Sequence, residues 1–200
     1  MKLEIPEGDF AGYIFDVDGT LVDTMPLHFR AWDLAMRRAG LRQALDEDLF
    51  YSYAGVPTLR VAELLVLHYG LNADAGRIFH EKEQLFTELQ PEIRLIEPVV
   101  EFARGVAAKA PVSVASGGPR LIVRETLRRM GLAELFPVVV TPEDVTHGKP
   151  SPEMFLLAAA RMGVAPEQCL VFEDGAPGFQ AAAAAGMQWV VVPSRVQAVG

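Results

Sequence analysis

Apolar residues follow two different rhythms along this chain. The first run, Ala11-Gly12-Tyr13-Ile14, is short and uninterrupted, as in a buried strand, and it ends at Phe15-Asp16. From Met25 the spacing becomes helical: Leu27, Ala31, Leu34 and Ala35 share a face, and Gly40 closes it. Residues 46–53 predict a short helix, broken by Gly55-Val56-Pro57. Thr58 is placed to cap a further helix with Leu59, Ala62, Val66 and Tyr69 inward and Gly70 at its end. Residues 73–89 predict another, with Ile78, Leu85 and Leu89 on one side, and Pro91 and Pro98 bracket a linker. After about seventy residues without a strand, strands and helices alternate. Strands are expected at 111–115, 136–140, 169–172 and 189–192. Helices are expected at 119–130, 152–162 (behind a Ser151 cap) and 177–185. Short β-branched strands alternating with helices predict an α/β protein, a parallel sheet covered on both faces. The helical stretch after the first strand would sit over the strand ends as a cap. The expected division is a core of residues 1–22 and 96–200 and an all-helical cap of residues 23–95.

Composition narrows the partners. The chain has 200 residues, half of them hydrophobic and 22% charged, enough to bury a sizeable core. A net charge of −8 argues against nucleic acid, which is bound mainly through Lys and Arg. A small phosphorylated substrate remains compatible, since a metal and one lysine reverse the sign locally. The one cysteine, Cys169, lies in an apolar run, excludes a disulfide framework within the chain and fits a reducing cytoplasm. The N-terminal residues lack the apolar stretch of a signal peptide, and no run is long enough for a membrane span. A cytoplasmic monomer is expected.

Four of the five predicted strands lead into polar chemistry. Asp16 and Asp18 follow the first strand, two apart and so on one face of an extended segment, with Gly19 allowing a sharp turn. Two like charges this close call for a cation, and Mg²⁺ suits hard oxygen ligands. Ser116-Gly117-Gly118 follows the second strand and precedes a helix, as either a simple cap or an anion site built on a hydroxyl and free N–H groups. Lys149 stands between Gly148 and Pro150, where a stiff backbone favours a placed cation over a solvated one. Glu173-Asp174-Gly175 follows the fourth strand, as an acidic turn or as part of a metal site.

Asp16-Val17-Asp18-Gly19-Thr20, Ser116, Gly148-Lys149-Pro150 and Phe172-Glu173-Asp174-Gly175 together resemble the four ordered motifs of the haloacid dehalogenase superfamily, over nearly the whole chain. Asp23-Thr24, His28-Phe29-Arg30-Ala31-Trp32, Gly148-Lys149-Pro150-Ser151-Pro152 and the Ala181–Met187 stretch are similar to its beta-phosphoglucomutase-like branch. Pro57-Thr58-Leu59-Arg60 and Arg161-Met162-Gly163-Val164 resemble the fructose-1-phosphate phosphatases of that branch. The chain departs from the usual pattern at Gly117-Gly118 and at Gly175. The resemblance implies a three-layer Rossmann-like core and hydrolysis of a small sugar phosphate through an aspartyl-phosphate. It implies Asp16 as nucleophile and Asp18 as general acid and base. Mg²⁺ would be held by Asp16, the Asp18 backbone carbonyl and Asp174, with Glu173 serving the ion indirectly. Lys149, Ser116 and N–H groups near Asp18 and Gly117 would bind the phosphate.

Within the cap, His28 is either a residue facing the site or a surface histidine, and Thr58 either caps its helix or reaches a sugar hydroxyl. Lys82, in Glu81-Lys82-Glu83, is expected to be solvated. A phosphomutase of the same branch is the alternative enzyme, and a non-catalytic binding protein on the same fold is the alternative of another class. The resemblance argues against dehalogenation, because the dehalogenating relatives lack the second aspartate of the first motif, present here as Asp18.

Overall fold

The computed structural model describes residues 2–53 and 56–193. Its strands are β1 (Gly12–Phe15), β2 (Val112–Ala115), β3 (Val138–Val140), β4 (Cys169–Glu173) and β5 (Gln188–Val191). They form one parallel sheet in the order β3-β2-β1-β4-β5. Parallel neighbours cannot be joined by a tight turn, so each connection is a helical crossover. The helices are α1 (Met25–Arg38), α2 (Glu47–Ser52), α3 (Thr58–Tyr69), α4 (Ala75–Leu89), α5 (Glu97–Ala107), α6 (Arg120–Arg129), α7 (Glu153–Met162) and α8 (Ala176–Ala184).

β4 explains why its sequence reads as an unbroken apolar run. All five of its residues are buried, and successive side chains enter opposite cores. Leu170 and Phe172 pack with Phe15, Val114, Val99 and Leu127, while Cys169 and Val171 pack with Ile14, Phe155, Ala181 and Ala182. The alanine-rich face of α8 is the close-packing surface its composition suggested. The first core continues without interruption into α1–α4 through Trp32, Met36, Phe50, Leu65, Ile78 and Phe86.

Three expectations change. The expected linker from Pro91 to Pro98 runs directly into a helix that the spacing did not predict, α5, with Pro98 in its first turn and Val99, Val100 and Ala103 buried. Thr58 is the first residue of α3, not its cap; Pro57 holds the cap position, and no side chain among the described residues caps this end. Likewise α7 begins at Glu153 behind Pro152, and the Ser151 hydroxyl accepts the Glu153 N–H at 3.4 Å. Gly55, assigned to the turn before Pro57, lies outside the described residues.

Two chain segments enter and leave the α1–α4 layer side by side. Asp23 N–H donates to the Arg94 carbonyl at 2.9 Å, and Ile96 N–H to the Leu21 carbonyl at 2.9 Å. Val22 and Leu95 form an antiparallel bridge between them. The helical layer is therefore attached at one place, next to the C-terminal end of β1. In open parallel sheets ligands bind at that edge.

Candidate active site

The sheet itself fixes the positions of the strand-end residues. Asp16 N–H donates to the Phe172 carbonyl at 3.0 Å, extending the β1–β4 pairing by one residue. Ser116 N–H does the same to the Val140 carbonyl at 3.1 Å, and Val192 N–H to the Glu173 carbonyl at 2.7 Å. Asp16, Ser116 and Glu173 thus stand together at one edge, although more than 150 residues separate the first from the last.

Lys149 joins two of these carboxylates. Its ammonium donates to Asp16 Oδ1 at 2.7 Å and to Glu173 Oε1 at 2.8 Å, and the residue is 2% exposed. Burial works against its charge, but the two acids outweigh burial and hold the ammonium protonated, above its ordinary range. Glu173 Oε2 accepts the N–H groups of Asp174 and Gly175 at 2.7 and 3.3 Å. Gly175, one of the two departures from the family pattern, therefore supplies a backbone donor to this acid.

Among the described residues, the acids nearest the sheet outnumber the one ammonium that faces them. Carboxylate oxygens of Asp16, Glu173 and Asp174 all lie within 4.8 Å of one another. Asp174 Oδ2 is buried without a hydrogen-bond partner among the described residues, while Thr20 Oγ1 reaches Oδ1 at 3.4 Å. Burial pushes the Asp174 carboxyl well above its usual range, and Glu173 and Asp16 push it further. Burial does the same to Asp16, only partly opposed by Lys149. An orphaned carboxylate oxygen among three converging hard donors is what a divalent cation such as Mg²⁺ satisfies, so the residues present fit that ion. Gly19, at a φ of 87°, makes the approach possible: a Cβ there would lie 2.2 Å from Asp174 Oδ2.

Asp18 stands outside this cluster and takes its side-chain partners from α1 and the residue before that helix. Its Oδ1 accepts from Thr24 Oγ1 at 2.6 Å and contacts His28 Nε2 at 3.0 Å. Burial works to raise the Asp18 carboxyl, but His28, the hydrogen bonds from His28 and Thr24, and the Lys82 charge outweigh it and hold it at about 2. Burial and Lys82 lower His28 below 6.5, so at neutral pH the imidazole is neutral and donates Nε2–H to Asp18. Its ring stacks on Phe86, centroids 3.8 Å apart. His28 thus faces the site and is not a surface residue.

Above these groups lies a cleft between the strand-end loops and α1–α4. Asp16, Asp18, Ser116, Gly117 and Gly118 line its sheet side; His28, Thr58, Lys82 and Glu83 line the helical side among apolar residues such as Trp32 and Phe50. Ser116 Oγ accepts the Gly118 N–H at 3.1 Å, so it shapes the turn as well as lining the cleft. A Cβ on Gly118, the other departure, would crowd Val123 Cγ2 at 3.1 Å and make only ordinary contact with Asp18 Oδ2, at 3.7 Å.

Lys82 corrects the expectation of a solvated charge. It is 2% exposed, 2.9 Å from Glu83 Oε1, and its ammonium sits 5.1 Å from the Phe86 ring centroid and 5.6 Å from that of Trp32. The signal was present: Lys82 follows Ile78 by four positions and precedes Phe86 by four, which places it on the buried face of α4. Thr24, within Asp23-Thr24, and Glu83, within Glu81-Lys82-Glu83, carry no individual role that the sequence alone assigns.

A model of the haloacid dehalogenase-like hydrolases matches residues 10–186. The chain is 37% identical to fructose-1-phosphate phosphatase YqaB of Escherichia coli K12, covering 92% of this chain and 96% of the relative. It is 35% identical to a phosphorylated carbohydrates phosphatase of Thermotoga maritima, covering 88% and 81% of the two chains. The crystal structure of CbbY from Rhodobacter sphaeroides in complex with phosphate matches with a TM-score of 0.79 and 26% identity, over 94% of this chain and 88% of the other. With a family match across most of its length, and the four strand-end motifs gathered beneath one cleft, this chain belongs to the haloacid dehalogenase-like hydrolases.

Proposed function

We propose that the chain is a Mg²⁺-dependent phosphatase that hydrolyses a small sugar phosphate, of the fructose 1-phosphate kind, through an aspartyl-phosphate. The carrying observation is the buried Asp16 carboxylate, 2.7 Å from Lys149, clustered with Asp174 and Glu173 beneath the cleft. The named activities of the two relatives support the substrate class.

Asp16 is placed to attack phosphorus. Lys149 holds one of its oxygens and keeps the carboxylate oriented, leaving the other for the bond to be formed. Mg²⁺, held by Asp16, Asp174 and the Asp18 carbonyl with Glu173 behind them, would neutralise the charge that otherwise repels a phosphate dianion from a carboxylate. Ser116 and the Gly117 N–H, in the turn that lines the same space, suit the phosphoryl oxygens, while the Gly118 N–H is given to Ser116 Oγ. Asp18 manages protons. Thr24 and His28 both occupy Oδ1, which leaves Oδ2 for the leaving oxygen and then for the attacking water. A phosphate dianion beside Asp18 opposes a second negative charge and raises its proton affinity from the resting state. Residues 23–95 then act as a cap that supplies the walls for the sugar and shields the acyl phosphate from bulk water. The buried thiol of Cys169, raised to about 11 chiefly by burial, suits a cytoplasmic setting.

A panel of phosphorylated sugars assayed for phosphate release, with Mg²⁺ and again after chelation, tests the reading. Metal-restored release from a hexose monophosphate is expected. No release from any member of the panel contradicts it.

A further inference from the structure

One wall of the cleft carries an ion pair that the chemistry above does not use. Lys82 and Glu83 both line the cleft, with 2% and 9% of their surface exposed. The pair is only half satisfied. Lys82 Nζ holds Glu83 Oε1 at 2.9 Å, while Oε2 is buried with no hydrogen-bond partner among the described residues. An unmade hydrogen bond to a buried acceptor is costly, and more so for a charged one. Leaving this one open is sensible if something entering the cleft supplies the donor. Its location is specific as well. Both charges of the pair act on His28, whose Nε2 is 3.0 Å from Asp18. The acceptor therefore lies close to the place where the leaving oxygen would take its proton.

The chemistry of the pair selects its ligand. A cationic group would meet the Lys82 ammonium. A carboxylate or second phosphate would meet Glu83, and the Lys82 charge it would need is already matched. A hydroxyl suits both members: it can donate to Glu83 and accept from Lys82, which has two further N–H donors beyond the one given to Oε1. We infer that Glu83 binds substrate by accepting a hydrogen bond from a hydroxyl of a polyol monophosphate, and that the Lys82–Glu83 pair rejects esters whose leaving group carries a second anion. This rests on the phosphatase reading and narrows its substrate class to neutral, hydroxylated leaving groups.

The test compares fructose 1-phosphate with fructose 1,6-bisphosphate, which share one ester and differ by a phosphate. The full chain is assayed with Mg²⁺ for kcat and KM on each. The unaltered protein is expected to favour the monophosphate. Glu83→Gln keeps the shape, removes the charge, and is expected to lower kcat/KM for the monophosphate roughly tenfold or more, mainly through KM. The monophosphate-to-bisphosphate preference should shrink by about the same factor. A merely structural role would slow both substrates alike and leave the preference unchanged, which overturns the inference. Should Glu83→Gln fail to fold with Lys82 unpaired, the double variant Lys82→Met/Glu83→Gln removes both charges. It should show the same loss of preference, and an unchanged preference there also overturns the inference. Phosphate release by the unaltered protein combined with an unchanged preference defeats this inference alone. No release from any ester defeats the phosphatase reading and this inference with it.

Discussion

A Cβ atom on Gly178 would fall 1.8 Å from Glu173 Oε1, the oxygen that Lys149 holds at 2.8 Å. The first turn of α8 must therefore be bare for Glu173 to turn inward and meet the ammonium. Gly178→Ala forces Glu173 out of its place, at a cost of about 1–3 kcal/mol for overpacking. At this chain length each kcal/mol lowers Tm by roughly 2–4 °C. Lys149 would lose one of its two acids, so kcat should fall tenfold or more. Thermal unfolding and phosphate release measure the two effects, and an unchanged Tm with unchanged kcat contradicts the geometry.

Metal binding should appear as a pH-dependent stabilisation. Burial, first of all, raises Asp16 and Asp174 above the ordinary 3.8 of an aspartate. In the metal-free protein the folded state then binds more protons than the unfolded one. The stability these groups contribute is complete below about 3.8 and is lost as pH rises through their raised folded values. Mg²⁺ competes with those protons, so the rise in Tm on adding it should be larger at pH 7.5 than at pH 5. At a hundredfold excess over Kd the stabilisation is about 2.7 kcal/mol. Equal gains at the two pH values would count against metal binding at these acids.

Gly148 and Pro57 place the helical layer against the Lys149 loop. A Cβ on Gly148 would lie 2.3 Å from Pro57 Cγ and 3.0 Å from Cδ. Thr58, the next residue after Pro57, lines the cleft. Gly148→Ala should push this turn outward and raise KM several-fold with a smaller effect on kcat. Pro57→Ala removes both clashing atoms, so the double variant should recover most of the loss. Failure of that rescue would show that Gly148 matters for another reason, such as the path of the Lys149 loop.

Lys82→Ala removes the cation that Glu83 faces and leaves a buried carboxylate unpaired. Such a change costs about 3–5 kcal/mol. Lys82→Met/Glu83→Gln should be more stable than Lys82→Ala, because no uncompensated charge remains. Chemical denaturation of the two variants gives the comparison, and equal or reversed stability would contradict the pairing.

The sequence made the strand ends legible because each strand is short and apolar and each stops at a polar group: Asp16, Ser116, Glu173. Local chemistry there has few competing explanations. Prolines and charge runs misled. Pro98 reads as a break, yet Val99, Val100 and Ala103 behind it carry the helical spacing that buries α5 against the sheet. Glu81-Lys82-Glu83 reads as a wet surface, yet the four-residue steps from Ile78 and to Phe86 place Lys82 inside. Thr58 lies one position inside the helix it is expected to cap, because Pro57 takes the cap position. Relations such as Gly178 with Glu173 and Gly148 with Pro57 depend on tertiary approach between distant segments, and no local pattern encodes them.

Trapping the covalent intermediate tests the account most directly. The protein is mixed with Mg²⁺ and a hexose monophosphate, quenched during turnover, treated with borohydride and digested for mass spectrometry. An acyl phosphate is reduced to an alcohol, and that product is predicted at Asp16, absent without substrate and absent in Asp16→Asn. Turnover with Asp16 unmodified, or with the reduced carboxyl at another residue, would contradict Asp16 as the group that takes the phosphoryl from substrate.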